Sequence, residues 1–426
     1  MRIPLILLLA FSLQLSALQA QVTLENCQQW TREHYPLLRQ QALHDASLQL
    51  RLEQLDKQRL PQFAALAKAN LQSEAIKVPF SAPGQEPIEL PLYGLQAYGE
   101  ATYTIYDGGV IKATKALENQ QYQVSRQALE VDLYQLRQQV NQLYLGILQM
   151  RAQDSLLQYA RHTLESRLDA VEAGVRHGIA LPTEADRIRV ELLRIDANRE
   201  EAKGREKSLL ATLNAYTGKE LDENTTLQPL QIRLTSFQTP TQRPELQLFD
   251  LQKQQLLAQS PLIHAKTKPK VNAFIQAGLG YPNPLNFFDT EVSPYGIAGL
   301  QLRWNFWDWG QSKKELEVLS VKSQLIDNQK QTFEFNVRLQ DGRFSEEAAK
   351  LANLIANDRK IADLQHNILQ QVQAQLEHGT ATAADYIAQL NAELQARLSL
   401  RLHELQLQQL YVDYLNLSGQ PLPSSR

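Results

Sequence analysis

Beginning at Phe63, the odd positions read Phe63, Ala65, Ala67, Ala69 and Leu71, and the even ones Gln62, Ala64, Leu66, Lys68 and Asn70. An apolar face set against a mixed or polar one, with a period of two, predicts a strand over about 61–73. The alternation returns at Ala97, Gly99, Ala101, Tyr103 and Ile105 against Gln96, Glu100, Thr102 and Thr104. This predicts a second strand over about 96–106. Between the two, Pro79, Pro83, Pro87 and Pro91 mark an exposed loop. The second half of the chain does the same. Val271, Ala273, Ile275, Ala277 and Leu279 alternate with Asn272, Phe274, Gln276, Gly278 and Gly280. Ala298, Leu300, Leu302, Trp304 and Phe306 alternate with Gln301, Arg303 and Asn305. Two more strands are expected there, over about 270–281 and about 296–306.

After each second strand the period changes. Leu129, Leu133, Leu136, Val140, Leu143, Ile147 and Met150 advance by alternating steps of four and three. Leu157, Leu164, Leu168, Val171 and Val175 continue the seam, with Asp154 and Arg161 interrupting it. Such spacing predicts a coiled-coil helix over about 109–177, roughly 100 Å long at 1.5 Å per residue. A counterpart is expected over about 310–378, and shorter return helices over about 183–217 and 384–418.

These elements form a tandem repeat. Tyr106-Asp107-Gly108-Gly109 matches Trp307-Asp308-Trp309-Gly310, and His177-Gly178 matches His378-Gly379, as does Tyr216-Thr217-Gly218 with Leu417-Ser418-Gly419. All three share an offset of 201 positions (107 to 308, 178 to 379, 218 to 419). Pro36 and Pro61 match Pro244 and Pro269 at an offset of 208, so one loop is longer in the first half. The halves are a first repeat over 21–218 and a second over 243–426, joined by a linker over 219–242.

The start of the chain bears on compartment. Arg2, the apolar run Ile3 to Leu15 and the small residue Ala20 read as a secretory signal peptide over 1–20. Leu24-Glu25-Asn26-Cys27 has the outline of a lipid-attachment box, but Glu25 and Asn26 are large and polar where small residues are needed. Cys27 is the only cysteine, so no intrachain disulfide forms. The net charge of −3 argues against a nucleic-acid partner. No stretch after residue 20 is apolar enough for a spanning helix, so contact with lipid is expected through strands.

Four strands cannot close a barrel, and open edges are not tolerated in lipid. The chain is therefore expected to share a barrel with copies of itself. Two copies give eight strands and a filled interior; three give twelve and a lumen. Gln96, Glu100, Thr102, Asn272, Gln276, Gln301, Arg303 and Asn305 read as wet lining and favour the larger ring. Tyr103, Tyr106, Trp304, Phe306 and Trp307 cluster at strand ends like an aromatic girdle at a membrane boundary.

In the order and spacing of these parts the sequence resembles the TolC-like outer-membrane efflux protein family. The carriers are the tandem helix–strand–strand–helix repeat, the two aromatic-Asp-x-Gly junctions, Arg243-Pro244-Glu245-Leu246, and the tips Gly178-Ile179-Ala180-Leu181-Pro182-Thr183-Glu184 and Gly379-Thr380-Ala381-Thr382-Ala383-Ala384-Asp385. The resemblance implies a mainly α fold with a small β part. As a homotrimer it would form a twelve-stranded transmembrane barrel in the bacterial outer membrane, continued by a helical coiled-coil barrel in the periplasm. It implies the exit duct of a tripartite efflux pump, served by an inner-membrane transporter and a periplasmic adaptor, with no cofactor and no catalysis. Glu184 and Asp385 match the acidic gate positions; the plainer reading is a first-turn helix carboxylate. Gly178, Ile179, Gly379 and Thr380 match the adaptor-docking tips. Leu376 and Ala381 stand where some family gates carry a tyrosine and arginine latch.

Two alternatives stay open. A type I protein secretion duct uses a similar pipe. A periplasmic coiled-coil structural or adaptor protein would explain the seam, but not four amphipathic strands. An enzyme fits poorly: the eight histidines are scattered, and no paired-histidine helix motif, nucleophile elbow or phosphate loop is present.

Overall fold

A computed structural model describes residues 21–75, 91–234, 236–237, 242–286, 289 and 291–423. The signal-peptide segment 1–20, most of the proline-rich loop and part of the linker lie outside the described residues. The fold is mainly helical with one small sheet: α1 (Leu24–His34), a 3-10 turn (Pro36–Leu38), α2 (Arg39–Lys57), β1 (Gln62–Leu71), β2 (Tyr93–Tyr106), α3 (Val110–Arg176), α4 (Pro182–Thr217), α5 (Pro244–Leu257), α6 (Ser260–Ala265), β3 (Lys270–Tyr281), β4 (Ser293–Arg303), α7 (Gln311–Glu377) and α8 (Ala383–Ser418). No helix among the described residues is long and apolar enough to cross a membrane.

The chain divides into two compact units, and each takes a piece of both sequence repeats. One comprises residues 1–38, 132–243 and 334–426; the other comprises 39–131 and 244–333.

In the first unit α3 and α4 run antiparallel, as do α7 and α8. The left-handed Gly178 and Gly379, both at φ 72°, make the reversals possible at the ends of α3 and α7. The seam residues Leu157 and Leu164 pack with Ile188, Ile195, Leu369, Tyr386 and Leu390 in one buried cluster. The two breaks in the α3 seam have partners on α4: Arg199 Nε donates to Asp154 at 2.8 Å and Arg161 Nε to Asp196 at 2.7 Å. A second cluster gathers Leu24, Cys27, Val140, Tyr144, Ile147, Leu213 and Leu415. Tyr144 is fully buried, and its hydroxyl reaches Val22 O at 2.8 Å and Gln228 O at 2.7 Å, fastening the irregular stretch after α4 to the helices. Cys27 is completely buried, and burial pushes its thiol up to about 12.

Asp413 on α8 carries a buried Oδ1 without a hydrogen-bond partner, and burial raises its carboxyl from 3.8 to about 6. A raised folded-state value means that the folded chain keeps the proton longer than the unfolded one. Stability is therefore full below pH 4 and declines as pH climbs towards 6. Asp413→Asn is expected to add about 2 kcal/mol at pH 7.5 and nothing below pH 4. Thermal melting of the helical signal at the two pH values measures this; an equal shift at both would remove ionisation as the cause.

In the second unit, α2 is tied to α3 by Lys115–Asp56 (2.5 Å) and Tyr122–Asp45 (2.5 Å), and α5 to α7 by Lys253–Asp327 (2.8 Å) and Lys330–Asp250 (2.7 Å). Its sheet is wholly antiparallel in the order β1-β2-β3-β4, which leaves β1 and β4 as bare edges. Gly278 sits opposite Tyr98, and a Cβ there would lie 2.2 Å from Ala97 O, so only glycine admits this approach of β2 to β3.

The boundaries differ from the sequence expectation at β4, which occupies Ser293–Arg303 rather than about 296–306. Its partner sets the limit. β3 begins at Lys270, directly after Pro269, and Lys270–Arg303 is the last pair of the ladder. Residues beyond Arg303 have no strand to bond with.

Candidate functional site

Cross-strand partners in an antiparallel ladder share a face, so the register sorts the side chains. Thr104, Asn272 and Gln301 lie on one rung; Glu100 and Gln276 lie on another; Thr102 faces Gln62 and Phe274; Gln96 faces Lys68; Arg303 faces Lys270. All of these stand on the same face. Seven of the eight residues read as lining are thereby brought together: Gln96, Glu100, Thr102, Asn272, Gln276, Gln301 and Arg303. Asn305 is the exception, because it follows the end of β4. Two bonds link residues of this polar face at the centre. Gln276 Nε2 donates to Glu100 Oε2 at 2.5 Å, and Thr102 Oγ1 to Glu100 Oε1 at 3.2 Å.

The opposite face carries Phe63, Ala101, Ile275 and Ala298 on one rung and Tyr103, Ala273 and Leu300 on another. Burial is inverted relative to a sheet in water. On the two central strands Tyr103 is 45% exposed, Ile275 60% and Leu279 51%, whereas Gln96, Glu100, Thr102 and Gln276 are half-buried. A contiguous exposed apolar face of this kind marks a surface that meets lipid or another protein.

The aromatic residues arrive by different routes. Tyr103 belongs to the apolar face. Tyr106 occupies an even position that period two alone would assign to the polar face. A bulge between Thr104 and Tyr106 leaves Ile105 extra and pairs Tyr106 with Val271, on the apolar side. Trp304, Phe306 and Trp307 lie past the end of β4 and are 55%, 75% and 67% exposed. Trp304 Nε1 donates to Thr267 O at 3.0 Å.

The two aromatic-Asp-x-Gly junctions are strand-to-helix caps. Asp107 accepts from Gly109 N at 2.7 Å and Ile111 N at 2.6 Å; Asp308 accepts from Gly310 N at 3.0 Å and Ser312 N at 2.9 Å. Trp309 is left-handed at φ 54° in the place where the first repeat has Gly108 at φ 75°. Its indole stands against Trp307 (centroids 5.7 Å apart), so the exposed aromatic cluster has one more member than the sequence reading included.

At the tips, both candidate gate acids are engaged by helix N-termini. Asp385 completes a capping box at the start of α8, accepting from Thr382 N at 3.0 Å and Thr382 Oγ1 at 2.7 Å. These bonds, the backbone one first, hold its carboxyl below the usual range. Glu184, in the first turn of α4, reaches across to α8 and accepts from Ala383 N at 2.8 Å. This last contact joins residues 199 apart in sequence. Nearby, Arg167 of α3 pairs with Glu377 at 3.2 Å, lies 5.5 Å over the Tyr386 ring, and has a buried Nε without a partner. The sequence reading missed Arg167 because nothing local distinguishes it from any other helical arginine. Gly178 and Gly379 have open space where a Cβ would be; Ile179 is 84% exposed and Thr380 is exposed as well. Among the described residues, no group of three or more His, Cys, Asp or Glu is placed to hold a metal ion.

No protein-family model and no curated protein matches the sequence. Solved structures do match its fold. The outer membrane protein VceC of Vibrio cholerae aligns with a TM-score of 0.63 at 13% identity, over 93% of this chain and 96% of that one. The MtrE outer membrane channel of Neisseria gonorrhoeae, in its open state, gives 0.62 at 15% identity over 93% and 89%. The CmeC outer membrane channel of Campylobacter jejuni gives 0.60 at 14% identity over 93% and 85%. At such identities the shared property is the fold, and the TolC-like resemblance read from the repeat holds at that level.

Proposed function

We propose that the protein is an outer-membrane exit duct, a passive channel for small molecules delivered by an inner-membrane transporter and a periplasmic adaptor. The inverted sheet carries this reading. An apolar face in the open, a polar face half-sheltered and two bare edges make sense as one part of a barrel wall. Three such sheets give a twelve-stranded ring with the Glu100–Gln276 face inward. The long helices then line a tunnel in the periplasm. An exposed apolar stripe on α7 (Val318, Val321 and Leu325, then Phe335 and Leu339) favours packing against a second copy, since it spaces at helical intervals. A periplasmic adaptor or scaffold would have no use for such a sheet.

In this reading the tips near Gly178, Ile179, Gly379 and Thr380 are the docking surface for the adaptor, and Glu184 and Asp385 lie at the constriction. Their carboxylates cap helices, and three copies of each would still present rings of negative charge. Membrane fractionation and the mass of the detergent-extracted species test the proposal. The protein is expected with the outer membrane, at three times the mass of one chain. A lone subunit, stable without detergent, would overturn it.

A further inference from the structure

The polar face of the sheet carries four charged side chains, and three of them are basic: Lys68, Lys270 and Arg303 against Glu100. Their placement is uneven. Lys270 and Arg303 are direct cross-strand partners on the last rung of β3 and β4, the rung nearest α7 in sequence. Like charges opposed across an antiparallel pair are unfavourable. Neither residue makes an ion pair among the described residues. Lys266, close by in sequence, has its own partner in Glu315 at 2.7 Å. Asp308 lines the same groove as Lys270, and its carboxylate keeps its negative charge, since the α7-start N–H groups it accepts from are neutral. Glu100 lies opposite Gln276, six residues along β3 from Lys270. That is about 20 Å away, well beyond the roughly 8 Å over which salt water transmits a charge. Glu100 is also held by Gln276 and Thr102. Lys270 and Arg303 thus set two positive charges against the one carboxylate of Asp308, an excess of positive charge at this end of the face.

We propose that Lys270 and Arg303 form an anion-attracting site at the end of the polar face, selecting small negatively charged solutes. The inference rests on the reading of that face as the wall of a conduit. Three copies would set six positive charges around one opening, and basic rings of this kind draw anions into a pore. The site would work against the acidic positions Glu184 and Asp385, so the direction of change in variants is the informative quantity.

The test uses the full chain in planar bilayers of neutral phosphatidylcholine under a tenfold KCl gradient. Lys270→Gln with Arg303→Gln is expected to lower the chloride-to-potassium permeability ratio about tenfold near 0.1 M salt. The difference should shrink near 1 M, where screening shortens to about 3 Å. Glu100→Gln, which keeps its bond with Gln276, should raise the ratio. An unchanged ratio in the double variant overturns the inference while leaving the conduit intact. If the double variant does not assemble, Lys270→Gln and Arg303→Gln are measured singly, and an unchanged ratio in both overturns the inference. Absence of any conductance from the parent protein would instead overturn the conduit.

Discussion

Ile275→Arg is expected to abolish recovery of the assembled protein from the outer membrane, whereas Gln276→Arg, one residue further on, should leave assembly nearly intact. Ile275 pairs with Ala101 and Ala298 at the middle of the sheet, on the face whose large side chains stand open. A guanidinium near the bilayer midplane costs about 2–4 kcal/mol in each chain, and every copy in the ring carries it. Gln276 points to the other side, beside Glu100, where an added positive charge finds a carboxylate and water. The assay is the amount of multimer in outer-membrane extracts, run without heating. Equal loss in both variants would mean that the two faces do not meet different solvents, and the duct reading would fall with it.

The second large effect concerns the tips. Glu184→Ala combined with Arg167→Ala is expected to raise conductance in planar bilayers by more than tenfold. Glu184 holds the first N–H of α8 from α4, and Arg167 holds the end of α7 and the Tyr386 ring from α3. Together they join one helical hairpin to the other. The bond to Ala383 N is charge-assisted and half-buried, and such bonds contribute about 1.5–3 kcal/mol. Losing about 2 kcal/mol from a closed arrangement moves the open population by roughly thirtyfold. Each single variant should have a smaller effect. Wild-type conductance in the double variant would show that these contacts hold the fold without restraining the passage.

What could be read from the sequence follows from the range of each interaction. The four strands were legible because one face of each must be apolar over its whole length, and that constraint is local. The polar face was legible for the same reason, since period two carries the side of Gln96 or Gln301 without knowledge of the partner strand. The Thr382–Asp385 cap was also local, a helix start that favours an acid three positions in. The misses were all non-local. Asn305 fell outside the sheet because β3 starts after Pro269, over thirty residues earlier. Tyr106 was grouped with Tyr103 correctly, but the bulge that carries it to the apolar side is defined only by its pairing with Val271. Asp154 and Arg161 looked like defects in a seam until Arg199 and Asp196 were placed beside them. The partner of Glu184 could not be inferred, because capping the next hairpin leaves no periodic trace.

The bare edges of β1 and β4 have a genetic consequence. In the proposed three-chain wall, the assembly is only as sound as its worst contributor. A cell making equal amounts of a normal chain and one that folds but cannot complete its share would retain only about one in eight fully normal triplets by random mixing. When a second gene copy is supplied beside the normal one, defects in the sheet should therefore behave as dominant, while defects that prevent the chain from being made at all should be recessive.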